Sequence, residues 1–119
     1  MSCYSFGTIC IFRNDTKTLE FAVDDGNGNA VDISDVQSIK FQVALRAGSA
    51  ALISKERPGD ILIDGTNTKF LVPLESSDTG SLSPGAYYAE AEIVNGDGDV
   101  FTVAFGRIRI REDLINGGS

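Results

Sequence analysis

Two turns hold most of the closely spaced side-chain oxygens of this chain, Asp24-Asp25-Gly26-Asn27-Gly28-Asn29 and Asn95-Gly96-Asp97-Gly98-Asp99. Grouped carboxylates and amides are the donors that Ca²⁺ prefers, and it wants about six to eight of them. In a two-sheet sandwich the loop between the second and third strands shares an end with the last hairpin turn. That would gather Asp24, Asp25, Asn27 and Asn29 near Asn95, Asp97 and Asp99. Neither turn, however, has the sixth-position glycine or the closing glutamate of an EF-hand loop. Aspartate, asparagine and glycine are also what hairpin turns select, for positive φ and for short side-chain bonds to the backbone. Turn formation alone accounts for every residue in both segments, so no metal and no cofactor are expected. If a cation did bind, Asp24, Asp25, Asn27, Asp97 and Asp99 would be its ligands.

Other routes to chemistry are narrow. The chain has no histidine, which removes the commonest general base and every Ser-His or Cys-His nucleophile system. Glu90 and Glu92 stand two apart, on one face of a strand at about 7 Å, a spacing that resembles a glycosidase acid and base. Their face carries no aromatic subsite apart from Tyr88, and 119 residues leave little room for a deep cleft. Carboxylates on an outward strand face are ordinary. The expectation is a protein that is not an enzyme.

Charge points to docking. Arg107, Arg109 and Arg111 alternate along the last predicted strand and share one face. They read either as a cationic strip for an acidic neighbour or as a solvated strand face that resists edge aggregation. A formal net charge of −7 weighs against nucleic acid, because phosphate binding needs a basic stripe. No apolar run approaches the ~20 residues that cross a bilayer, and the opening residues lack the pattern of a secretion signal. Cys3 and Cys10 would lie roughly 23 Å apart on one extended segment, too far for a disulfide. The chain is expected to be made in the cytoplasm and to carry no disulfide.

The elements that must position these residues are strands. Alternation with period two recurs about every ten residues between turn clusters. Strands are predicted over Thr8–Arg13, Lys17–Asp24, Val36–Arg46, Ala50–Lys55, Asp60–Asp64, Lys69–Leu74, Ala86–Val94 and Val100–Arg111. One helical turn is allowed between Ser76 and Pro84. Leu19, Phe21 and Val23 face inward, as do Ile39, Phe41, Val43 and Leu45, and Tyr87, Ala89, Ala91 and Ile93. In the last strand Phe101, Val103 and Phe105 form one inward set and Ile108 and Ile110 the next, so a bulge is expected at Gly106. Leu82-Ser83-Pro84-Gly85-Ala86-Tyr87 fits a tyrosine corner, with Gly85 at its turn and the Tyr87 hydroxyl bonded to nearby backbone. The sum is an all-β, immunoglobulin-like, two-sheet antiparallel sandwich of about seven to nine strands. It forms a single domain over 1–119, with 1–7 as an N-terminal arm and 113–119 as a short tail.

Three stretches resemble the small immunoglobulin-like domains of tailed-bacteriophage structural proteins, in particular the N-terminal domain of the baseplate upper protein family. They are Arg13-Asn14-Asp15-Thr16-Lys17-Thr18-Leu19-Glu20-Phe21, then Val23 through Ile33 with its acidic-glycine turn. The third runs from Leu82-Ser83-Pro84-Gly85-Ala86-Tyr87-Tyr88 through Asn95-Gly96-Asp97-Gly98-Asp99 to Phe105-Gly106-Arg107. The resemblance implies a virion structural protein without catalytic residues, multimeric in a particle and engaging other virion proteins or copies of itself. Baseplate upper proteins continue into a coiled coil and a receptor-facing module, which have no counterpart here. A tail, baseplate or neck adaptor fits the length, with a capsid decoration protein as an alternative. A freestanding module binding a surface glycan or protein through its end loops is a second alternative. Besides the three arginines, the segment from Cys3 to Phe12 is a candidate to exchange with a partner.

Overall fold

The computed structural model describes residues 2–112. In chain order they form β1 (Tyr4–Phe12), β2 (Lys17–Ala22), β3 (Ser38–Ala44), β4 (Ala51–Arg57), β5 (Leu62–Ile63), β6 (Lys69–Leu74), the short helix α1 (Ser76–Gly80), β7 (Gly85–Val94) and β8 (Val100–Arg111). A five-stranded sheet in the order β1-β8-β7-β3-β4 faces a three-stranded sheet in the order β2-β6-β5. This is an immunoglobulin-like sandwich, and Cys3 and Cys10 are free and exposed.

Alternation builds the core. Leu19 and Phe21 on β2, and Phe70, Val72 and Leu74 on β6, meet Ile39, Phe41 and Val43 on β3 and Tyr87, Ala89, Ala91 and Ile93 on β7, all buried. Phe21 sits at the centre, with ring centroids 5.4 Å from Phe6, 5.6 Å from Phe41 and 5.3 Å from Phe70. Aromatic pairs at such separations add attraction beyond the area they bury.

Four expectations are corrected. β1 runs parallel to β8 over Tyr4–Ala104 to Phe12–Arg111, so the sandwich is not wholly antiparallel. Residues 4–7 are therefore strand rather than free arm, and the stretch offered for exchange is engaged in the chain's own sheet. Leu45 is 55% exposed, because the chain leaves β3 after Ala44 and turns. Finally, the bulge of β8 lies at Val103, not at Gly106. Ala91 pairs with Ala104 but Glu92 with Thr102, so Val103 is the extra residue, and both Val103 and Ala104 are buried. Phe105 then turns outward, 39% exposed.

Gly106 has a different task. Between Ser5–Phe105 and Thr8–Arg107, β1 places two residues, Phe6 and Gly7, against one on β8. Gly7 takes φ +74°, and the Phe6 ring swings into the core over Gly106. A Cβ at Gly106 would lie 2.6 Å from the Phe6 ring and 2.7 Å from the Gly7 carbonyl. Only glycine fits under that bulge.

Candidate docking face

The outer face of the five-stranded sheet collects charged and aromatic side chains of all five strands. β8 is flanked by β1 and β7, so its arginines stand on an interior strand and not on an edge. Arg107 pairs with Thr8 and Tyr88, Arg109 with Cys10 and Ala86, and Arg111 with Phe12. All three arginines are exposed. Their inward neighbours Ile108 and Ile110 are each 1% exposed and anchor the strand. None of the three has an ion-pair partner among the described residues.

Arg107 lies beside Tyr88. A cation–aromatic contact forms at the end of the row, where the Arg111 guanidinium sits 5.9 Å from the Phe12 ring centre. Tyr88 instead donates its hydroxyl to Glu90 Oε2 at 2.9 Å. Burial, together with this carboxylate, raises the Tyr88 hydroxyl above its ordinary range. Thr8, Tyr88, Phe105 and Arg107 border a shallow depression of about 300 Å³, floored by Gly106 and the β1 bulge. Sequence reading missed Phe105 as part of this face, since nothing in the residue pattern placed the extra residue at Val103.

Toward the other end of the face the charge changes sign. Glu90 pairs with Phe105 and Gln42, and Glu92 with Thr102 and Lys40. Lys40 in turn pairs with Glu56 on β4. Glu90 and Glu92 share a face, as their spacing required, and with Lys40 and Gln42 they line a shallow polar depression of about 220 Å³.

The cation candidates come out differently. Asp24 Oδ1 accepts from Gly26 N, and Asp25 Oδ1 from Asn27 N and Asn29 N. Asp25 Oδ2 takes the Asn29 amide. The backbone N–H of Asn27, then the Asn29 side chain, hold the Asp25 carboxyl below the usual range. Asn95 Oδ1 likewise accepts from Asp97 N and Asp99 N. The neighbours of the last turn are Asp35 and Gln37, with Gln37 Nε2 donating to Gly96 O at 3.2 Å. The expected gathering of Asp24, Asp25, Asn27, Asp97 and Asp99 into one donor set does not occur. Among the described residues, no group of three or more histidine, cysteine, aspartate or glutamate residues is placed to hold a metal. No helix there is long and apolar enough to cross a membrane.

At the opposite end the corner forms. Tyr87 is 6% exposed and its hydroxyl donates to Ser83 O at 2.6 Å. Gly85 precedes it at φ +151°, a conformation that favours glycine.

No protein-family model and no curated protein matches the chain. Solved structures share its general form. The fibronectin(III)-like modules of Clostridium thermocellum CbhA align over 89% of this chain and 88% of theirs, at 10% identity and a TM-score of 0.47. CopC from Methylosinus trichosporium OB3b aligns over 91% of this chain and 89% of its own, at 11% identity and a TM-score of 0.48. Neither likeness transfers a ligand or an activity to this chain.

Proposed function

We propose that this chain is a non-catalytic structural subunit of a tailed-phage virion, a tail, baseplate or neck adaptor that docks through the outer face of its five-stranded sheet. The observation that carries the docking is the row Arg107, Arg109, Arg111, exposed on a strand paired on both sides. A strand so held presents its cations at fixed spacing, so little order is lost when a partner binds. The virion address rests on the sequence resemblance alone. A particle repeats each contact many times, and avidity multiplies a weak one.

Quantitative mass spectrometry of purified particles tests this. The expected result is a fixed copy number that matches the symmetry of the tail or neck. A copy number matching the capsid lattice assigns the chain to capsid decoration instead. Absence from intact particles overturns the virion role and leaves the freestanding binding module as the reading to pursue.

A further inference from the structure

We infer that the partner on this face is a second copy of the chain, related by a two-fold axis that lies across the strands at the Ala89–Gly106 pair; this rests on the docking role proposed above. An isologous interface needs a surface that complements itself after rotation. Here the complement is written into the register. Arg107 and Arg109 are one and three residues beyond Gly106 on β8, and Glu90 and Glu92 are one and three residues beyond Ala89 on β7. The two strands are antiparallel neighbours, so the arginines lie on one side of the Ala89–Gly106 row and the glutamates on the other.

Rotation about an axis in the plane of contact lays the basic half of one face on the acidic half of the other. Arg109 then falls in the row of Glu92 of the second copy, one strand over. That offset is about 4.8 Å, within reach of an arginine side chain. Arg107 falls over Phe105 of the second copy and beside its Glu90, where a guanidinium can stack on the ring and pair with the carboxylate. The basic half holds Arg107, Arg109 and Arg111. The acidic half holds Glu90, Glu92 and Glu56 against Lys40. Complementarity of this kind selects the register and the partner. The face spans only about 19 Å between its outer strands, so the dimer is small and salt-sensitive.

The test uses three proteins: the wild type, Arg107→Glu/Arg109→Glu and Glu90→Arg/Glu92→Arg. Sedimentation velocity follows each alone, and the two variants mixed in equal amounts. The wild type forms a dimer at low salt that dissociates as salt rises. Each variant alone binds itself at least about tenfold more weakly, because like charges now face each other. The mixture restores a dimer, since the two altered faces complement one another. If Glu90→Arg/Glu92→Arg fails to fold, Arg109→Glu mixed with Glu92→Arg repeats the cross. A wild type that stays monomeric at every concentration, or a mixture no more associated than its parts, overturns the two-fold pair. Failure of this inference stays separable from failure of the virion role. A monomer found at fixed copy number in particles breaks only the pairing, and a dimer missing from particles breaks only the address.

Discussion

At the α1 end of the sandwich, polar side chains reach across the chain. Arg13 Nη2 donates to Gly80 O at 3.1 Å and Thr79 Oγ1 to Asp15 O at 3.1 Å. Lys55 Nζ lies 2.9 Å from Asp78. At the other end, Asp24, Asp25 and Asn95 bond to backbone two to four residues away, and Gln37 to Gly96 is the long-range tie. Both ends use polar side chains, but the first joins elements distant in sequence through Arg13, Lys55 and Thr79, and the second through Gln37 alone. Ties of that kind oppose unfolding of the whole domain, whereas a turn that satisfies itself keeps much of its structure wherever it is placed. The same economy occupies the Asp24 and Asp25 carboxylates, which accept from the N–H groups and the asparagine amide of their own turn.

The largest effect is expected where a distant contact is closest. Gly106→Ala drives a methyl into the Gly7 carbonyl and the Phe6 ring, and it is expected to cost about 2 kcal/mol in chemical denaturation. Next comes Tyr87→Phe, which leaves the Ser83 carbonyl without its donor and costs about 1.5 kcal/mol. Equal melting of Tyr87→Phe and wild type would contradict a stabilising role for the corner bond.

Lys55→Met is expected to cost about 1 kcal/mol near neutral pH, the side chains of the pair being 12% and 22% exposed. Burial pushes the Asp78 carboxyl up, but the Lys55 hydrogen bond, the Glu75 N–H and the Lys55 charge hold it below the usual range. A depressed carboxyl stabilises the fold above the ordinary aspartate pKa of about 3.9, and that part is lost as pH falls below it. The gap between Lys55→Met and wild type therefore narrows on acidification. A gap that widens in acid contradicts the pairing.

The smallest effects belong to the acidic turns. Asn95→Ala is expected to cost about 0.5 kcal/mol, within the range of surface changes. Calorimetric titration with Ca²⁺ is expected to give no isotherm tighter than ~1 mM. A micromolar isotherm abolished by Asp97→Ala would reverse the comparison, making this end a site rather than a pair of turns.

The sandwich was legible because period-two alternation survives in β2, β3 and β7, where Phe21, Phe41 and Ala91 each lie where their parity puts them. Legibility stops where the backbone departs from that period. One extra residue at Val103 reverses every later side chain of β8, which hid Phe105 and misplaced the bulge. Phe6 was hidden for the same reason, since its insertion over Gly106 depends on a bulge that no residue type announces. The parallel pairing of β1 with β8 was unreadable because a strand pattern does not state its direction. The arginine row was visible from spacing alone. Its place on an interior strand was not, and neither was the acidic half beside it, which needs the β7–β8 register.

The contrast that matters most for function is between that face and the acidic turns. Particle occupancy of Arg107→Glu/Arg109→Glu/Arg111→Glu, measured by quantitative mass spectrometry beside Asp25→Ala/Asp97→Ala, tests it most directly. Loss of the triple variant from particles that retain the turn variant is the predicted result. Retention of the triple variant at wild-type copy number would contradict docking through this face.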